Sequence, residues 1–216
     1  MKTPWRFSAT LPPLLIFVLL AGCLGVDQEF GASRKKMYAD QLTINVVLPA
    51  NAPSISQNFW RFPKTNAGQE QREEHLGIDI TAKKGTPILA PAPGRVAKSY
   101  FEPMFGHTIE IDHGTDSTGR RIRTLYKHMS ARLAQSGDVV VRGQRIGALG
   151  KTGILSAGIL HLHFEVLREG QDGRVVPVDP SAFWMNGVGR ATCFTHSKNW
   201  PDTPFKITYP VQCRGN

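Results

Sequence analysis

One short segment of the sequence places two histidines and an acidic residue on a single face of a predicted strand, where imidazoles could contribute to a metal site. The segment reads LHLHFEV at 160–166, and His161, His163 and Glu165 occupy every second position. Because the side chains of an extended strand point alternately to its two faces, the three polar groups would share one face and the apolar residues the other. Imidazole nitrogens and carboxylate oxygens are common zinc ligands.

A second segment, HLGIDI at 75–80, has the same alternation, with His75 and Asp79 on one face. Gly77 lies between them on that face and would leave open space. If the polar faces of the two strands line one cleft, two imidazoles and a carboxylate can converge on a metal. Three such ligands and one open position are what catalytic zinc requires, and water there has a lowered pKa. Alternating histidines also occur on solvent-exposed strands, which is the alternative interpretation.

The elements that would position these residues are strands. Short segments rich in β-branched residues are separated by glycine and proline, and the Asp172-Gly173 pair is typical of a hairpin turn. No segment has a sustained 3.6-residue apolar period, and only a short helix is expected, near 180–185. We therefore predict an all-β sandwich or barrel.

The N-terminal region is typical of an exported protein. A basic start precedes an apolar run that is too short to span a bilayer, as in secretory signal peptides. The run ends in LAGC at 20–23, which resembles the lipobox of bacterial lipoproteins and implies cleavage after residues 1–22 and lipid attachment to Cys23. An uncleaved anchor, or ordinary cleavage near Gly22, is the alternative. Residues 23–40 are polar and are expected to form a tether.

The cysteine count is consistent with this interpretation. The chain has three cysteines. If Cys23 carries lipid, Cys193 and Cys213 remain as a pair in an oxidising compartment. A bridge between them would close a C-terminal extension, 190–216, and stabilise it by roughly 3 kcal/mol.

The net charge is +9, from 26 basic and 17 acidic residues. A basic exported protein is attracted to anionic polymers or membrane surfaces. No basic motif interleaved with aromatic residues is present in the sequence, so nucleic acid is not an expected partner.

The two histidine segments resemble the paired signatures of the lysostaphin/LytM-type zinc endopeptidases. The resemblance runs in order from about residue 55 to 183. Besides HLGID at 75–79 and HLHFE at 161–165, it rests on APAPGRV at 90–96, LYKHM at 125–129, the glycine-rich stretch 137–153 and VDP at 178–180. It implies a LytM-like domain over 41–189, an antiparallel sandwich or half-open barrel with a groove.

The resemblance also implies roles for particular residues. His75, Asp79 and His163 would bind one zinc ion per chain. His128 and His161 would be the catalytic pair, moving protons and stabilising the oxyanion. The sequence has no His-Glu-x-x-His helix to supply a glutamate base, so imidazoles must take that role.

Two further residues are candidates for supporting roles beside these groups. Glu165 shares the strand face of His161 and His163, where it could orient a ligand or remain solvated. Tyr126 lies two positions before His128 and is expected on the same face, as a hydrogen-bonding or structural residue.

The function that follows from the resemblance is zinc-dependent hydrolysis of the peptide cross-links of peptidoglycan. The chain would act in the cell envelope, on its lipid anchor. Leu24, rather than aspartate, follows Cys23 and favours an outer-membrane anchor facing the periplasm. The alternatives are a catalytically silent activator or binding protein on the same fold, or a peptidase for glycine-rich proteins or a competitor's wall. The sequence does not indicate an oligomeric state.

Overall fold

The structure is a computed structural model, and it describes residues 44–61 and 74–215. These belong to one compact unit, Leu42–Asn216. The predicted signal peptide, Cys23 and the tether lie outside the described residues. Within the described part, no helix has the length and apolar composition that a membrane crossing requires.

The described residues form eleven strands and two short 3₁₀ turns, which confirms the all-β prediction. The helix expected near 180–185 is one of these turns, Pro180–Ala182. The strands are β1 Ser54–Gln57, β2 Ile78–Thr81, β3 Pro87–Leu89, β4 Gly94–Glu102, β5 Gly106–Thr115, β6 Arg121–Met129, β7 Ala131–Arg132, β8 Val139–Val140, β9 Arg145–Ala148, β10 His161–Glu169 and β11 Val175–Val178.

The strands form two antiparallel sheets. The larger sheet has the order β1-β2-β10-β6-β5-β4-β8, and β11 pairs with β10 through the hairpin predicted at Asp172-Gly173. The smaller sheet has the order β3-β9-β7. Strands β2 and β10, which carry the two histidine segments, are therefore neighbours although 79 residues lie between Thr81 and His161.

The core follows directly from the alternation in the sequence. On β10, Leu162, Phe164 and Val166 are fully buried, and on β2 Ile78 and Ile80 are as well. Burying one such aliphatic side chain stabilises the fold by roughly 2 kcal/mol. The apolar face of each strand thus fixes the register, because a shift by one residue would expose it. The polar face of β2 and β10 is left for the site.

The C-terminal segment contributes to the same core. Ile207, Tyr209 and Val211 are buried in the hydrophobic cluster that also holds the strands of both sheets. The predicted Cys193–Cys213 disulfide is present, with a Cα–Cα distance of 6.0 Å. Residues of the predicted C-terminal extension, 190–216, therefore pack into the same core as the strands.

A hydrogen-bond network links β5, β6 and the segment before β4 near His113. Its Nδ1–H donates to the Pro93 carbonyl at 2.6 Å, and its Nε2 accepts from the Thr124 hydroxyl at 2.8 Å. Thr124 in turn accepts from the Tyr126 hydroxyl at 2.8 Å. Burial lowers the pKa of His113 to about 4, despite the opposing Pro93 hydrogen bond.

This network predicts a pH dependence of stability. Because the folded pKa of His113 lies below its ordinary value of 6.5, the folded state binds fewer protons than the unfolded state. The stability it contributes is complete above about pH 6.5 and is lost as the pH falls to about 4. The loss should be roughly 2–3 kcal/mol. Urea unfolding across this pH range should show a shallower pH slope for His113→Gln than for the wild type. His196→Gln is the matched control and should keep the wild-type slope. A wild-type slope in His113→Gln would contradict the prediction.

Candidate metal centre

Strand pairing brings the two histidine segments together. His163 on β10 lies directly opposite Asp79 on β2 in the antiparallel register. Directly opposite residues share a face of the sheet, so both side chains point to the polar side. His75 precedes β2 and is held by backbone hydrogen bonds of 3.0 Å in both directions with Trp60. Its ring lies beside the ring of His163, with a centroid distance of 4.9 Å.

The three predicted ligands converge on one point. Asp79 Oδ1 lies 2.8 Å from His163 Nδ1 and 3.1 Å from His75 Nε2. The two nitrogens are 3.2 Å apart. All three side chains are mostly buried, with 11–15% of each side chain exposed. They form a group of suitable ligand atoms within one small volume.

The outer nitrogen of each ligand imidazole has its own acceptor. His75 Nδ1–H donates to the Asn58 carbonyl at 2.7 Å. His163 Nε2–H donates to Glu165 Oε1 at 3.0 Å. These partners assign the protons to the outer nitrogens, so a lone pair on each inner nitrogen points at Asp79.

This arrangement fits zinc. Two imidazole lone pairs and a carboxylate oxygen face one another with no proton between them, which is unfavourable unless a cation occupies the centre. Zinc–nitrogen and zinc–oxygen bonds of ~2.0–2.1 Å place tetrahedral ligands about 3.3 Å apart. The measured separations, 2.8 to 3.2 Å, are close to this value.

The pKa values of Asp79 and His163 are shifted by the same close contacts between these side chains. For Asp79, burial raises the pKa, but the His163 and His75 hydrogen bonds and charges outweigh it and hold the pKa well below its usual range. For His163, burial lowers the pKa, but the hydrogen bonds to Asp79 and Glu165 outweigh it and raise the pKa above its ordinary value. The carboxylate thus attracts positive charge to this centre, and it raises the pKa of the imidazole beside it.

Two more histidines lie beside this centre. His161 Nε2 is 3.8 Å from Asp79 Oδ1, and the His128 and His161 ring centroids are 4.8 Å apart. His161 Nδ1–H donates to the Ile159 carbonyl at 3.0 Å, and His128 Nδ1–H donates to the Thr152 carbonyl at 2.9 Å. These acceptors leave each Nε2 without a proton and available as a base. Burial lowers the pKa of His128 to about 4, so it is neutral at pH 7.

His128 reaches the site because β6 is irregular. Between Tyr126 and Met129 this strand has one residue more than the opposite strand β5, which is a β-bulge. His128 takes a left-handed backbone conformation there, with φ of 64°. The bulge reverses the alternation, so that His128 faces the metal centre while Met129 is buried in the core.

Tyr126 consequently lies on the other face. It is opposite Phe164 in the register, fully buried, and bonded to Thr124 rather than to the site. The expectation that Tyr126 shares a face with His128 is wrong, because it assumed unbroken alternation along β6. Its role is in the core and in the His113 network.

Gly77 is required by space rather than by backbone conformation. A Cβ at this position would lie 2.5 Å from the Phe164 carbonyl oxygen, and 3.0 Å from both Glu165 Cγ and His163 Nε2. The space predicted beside His75 and Asp79 is therefore filled by the His163–Glu165 pair.

Replacing Gly77 by alanine should separate β2 from β10. We expect the free energy of unfolding to fall by about 1–3 kcal/mol and zinc affinity to fall about tenfold or more, because Asp79 moves away from His163. Urea unfolding in chelator and a competition assay for zinc would measure the two effects. Gly170→Ala is the matched control, since its Cβ would meet only the flexible end of Asp172 at 2.9 Å and no other atom closer than 3.4 Å. Wild-type zinc affinity in Gly77→Ala would contradict this account of the site.

The sequence that carries this fold and candidate metal centre is that of a peptidase family. Residues 73–199 match Peptidase family M23, which is more than half of the chain. The chain belongs to this family, and the match confirms the resemblance to the lysostaphin/LytM-type endopeptidases.

Particular relatives give the comparison more detail. The peptidoglycan DD-endopeptidase ShyC of Vibrio cholerae is 35% identical over 130 residues, which are 59% of this chain and 28% of ShyC. The uncharacterised lipoprotein YgeR of Escherichia coli K12 is 28% identical over 172 residues, 74% of this chain and 65% of YgeR. The chain thus spans less than two thirds of either relative. The catalytic domain of lysostaphin from Staphylococcus simulans aligns over 59% of this chain and 89% of its own, at 27% identity and a TM-score of 0.46.

Proposed function

We propose that this chain is a zinc-dependent endopeptidase that hydrolyses the peptide cross-links of peptidoglycan. The observation that carries the proposal is the convergence of His75 Nε2, Asp79 Oδ1 and His163 Nδ1 within 3.2 Å of one another, with two more imidazoles beside them. Membership of Peptidase family M23 supports it, as does the likeness to ShyC, which is named as a peptidoglycan DD-endopeptidase.

His75, Asp79 and His163 would hold the zinc ion. Bound zinc supplies Lewis-acid polarisation of the scissile carbonyl and a lowered pKa for water in its open position. Asp79 contributes the one negative charge among the three ligands and keeps it at neutral pH, since its pKa lies well below the usual range.

His128 and His161 would move the protons. Each holds its Nδ1–H against a backbone carbonyl and presents Nε2 to the site, so each can accept a proton there and later donate it to the leaving amine. As imidazolium, either ring also stabilises negative charge on the carbonyl oxygen. The burial that lowers the pKa of His128 to about 4 keeps it in the basic form before reaction.

The cellular place we propose is the cell envelope, with a lipid on Cys23. The lipobox-like segment at 20–23 and the likeness to the lipoprotein YgeR support this placement. Leu24 after the cysteine favours the outer membrane, facing the periplasm. A Cys23→Ser protein should leave the membrane fraction, and lipid-dependent retention would contradict the anchor.

A digest of defined substrates tests the activity. Zinc-loaded protein should convert cross-linked muropeptide dimers to monomers, read by mass, and should leave pentaglycine intact. Cleavage of pentaglycine alone would instead favour a peptidase for glycine-rich bridges. A folded, zinc-loaded chain that cuts neither substrate would overturn the proposal in favour of a binding protein on this fold.

A further inference from the structure

Lys127 lies directly behind the metal centre. Neither the alternation in the sequence nor the family resemblance assigns a role to this residue. It is opposite His163 in the β10–β6 register, on the same face of the sheet. Only 9% of the residue is exposed, which is unusual for lysine. A buried ammonium group requires a partner, and its partner identifies its role.

The partner of Lys127 is Glu165. Lys127 Nζ donates to Glu165 Oε1, the same oxygen that accepts the His163 Nε2–H at 3.0 Å. The ammonium also lies 4.0 Å from the centroid of the Phe105 ring, which covers it as a cation–π contact. Lys127 is thus connected to a zinc ligand through one shared carboxylate oxygen.

The charges explain why this connection matters. Glu165 is buried, with 6% of its side chain exposed, and it contacts one nitrogen of the His163 ring while a second carboxylate, Asp79, contacts the other. A buried carboxylate whose only partner is a neutral imidazole N–H is costly, by several kcal/mol. Lys127 Nζ offsets that cost as a charged partner on the same oxygen, and so holds the carboxylate against His163.

Resting on the proposed function, we propose that Lys127 is a positioning residue for the metal centre. By holding Glu165 against His163 Nε2–H, it keeps the His163 ring in the orientation that directs Nδ1 to the zinc ion. Gly77 completes the arrangement, because its missing Cβ leaves room for His163 Nε2 and Glu165 Cγ. Phe105 excludes water from the ammonium group. Outer groups of this kind commonly contribute 10- to 100-fold to metal affinity.

The test is a double-mutant cycle on zinc affinity. The dissociation constant for zinc would be measured by chelator competition in the wild type, Lys127→Met, Glu165→Gln and the double variant. We expect each single substitution to weaken zinc binding about 10- to 100-fold. The double variant should be no weaker than the weaker single variant, because both changes remove the same support of His163. Lys127→Met binding zinc as tightly as the wild type, or effects that multiply, would overturn the proposal.

Lys98→Met is the matched control. Lys98 also pairs with a glutamate, Glu110, at 3.7 Å, but 63% of its side chain is exposed and it lies on β4. Its removal should leave zinc affinity unchanged. A comparable loss of affinity in this control would show that any lysine of the sheet has the effect, and would overturn the specific role of Lys127.

A structural role alone predicts a different result. Unfolding in chelator separates stability from metal binding, and a Lys127→Met protein that loses stability but keeps its zinc affinity would overturn the proposal. If Lys127→Met does not fold, Lys127→Arg replaces it in the test, since it keeps the charge. That variant should bind zinc within about threefold of the wild type while Glu165→Gln is weakened about tenfold or more. Weaker zinc binding by Lys127→Arg than by Glu165→Gln would contradict the proposal.

The outcome is separable from that of the proposed function. Zinc-binding wild-type protein without hydrolytic activity would overturn the peptidase proposal and leave the role of Lys127 intact. If the wild type is active and Lys127→Met keeps the wild-type zinc affinity, the role of Lys127 is overturned and the peptidase proposal stands.

Discussion

Replacing His163 by alanine should abolish zinc binding and peptidoglycan cleavage together. His163 supplies the nitrogen closest to Asp79, at 2.8 Å, and it is the ligand supported by Glu165 from behind. Without it, only two ligands remain, and two do not make the three-ligand site of catalytic zinc. Bound zinc, measured by elemental analysis after dialysis, should fall from about one per chain to near zero, and muropeptide release should fall to background.

The control for this substitution is His196→Ala, which removes a histidine whose ring packs against Phe194 instead of the metal centre. It should retain both zinc and activity. A His163→Ala protein that still cuts peptidoglycan at the wild-type rate would contradict the assignment of the ligands.

Replacing His161 by glutamine should separate chemistry from metal binding. His161 Nε2 is 3.8 Å from Asp79 Oδ1, beside the ligands, and its ring lies against His128. A glutamine side chain is polar but cannot carry a proton between water and the leaving group. We expect kcat to fall about 10²- to 10⁴-fold while about one zinc per chain remains bound.

His128→Gln should behave in the same way, with an added cost in stability because glutamine is less suited to the left-handed backbone at this position. Zinc content and muropeptide release are measured on the same samples. A normal rate in both variants would remove the proton-transfer role, whereas zinc lost from His161→Gln would make His161 a ligand.

The part of the site that depends on local alternation could be predicted from the sequence. The pattern of β10 places His161, His163 and Glu165 on one face, and their apolar neighbours Leu162 and Phe164 are fully buried on the other. Alternation is a property of the extended backbone and requires no knowledge of the partner strand. The pairing of β10 with β2 could be inferred only through the family resemblance.

The misplaced residue, Tyr126, shows where this reasoning fails. A single extra residue in β6 reverses the faces after position 127, and the sequence LYKHM carries no glycine or proline at that point to indicate a bulge. The left-handed His128 is held by contacts from distant segments, including the Thr152 carbonyl and the Phe105 carbonyl. Tertiary contacts therefore override the local pattern.

The role of Lys127 required the strand register as well. In the sequence it is one basic residue among 26, next to a histidine. Only the pairing of Lys127 with His163 places its ammonium group against Glu165. The alternation also places Gly77 on the polar face. The side chains that fill the space beside it, His163 and Glu165, come from the neighbouring strand β10.

Anomalous diffraction at the zinc absorption edge, from crystals of the purified protein, would show whether His75, Asp79 and His163 bind one zinc ion. We expect one peak about 2.0–2.2 Å from His75 Nε2, Asp79 Oδ1 and His163 Nδ1, and no peak in crystals of His163→Ala. Zinc-loaded crystals with no density at that point, or with these three atoms too far apart to reach one ion, would contradict the account.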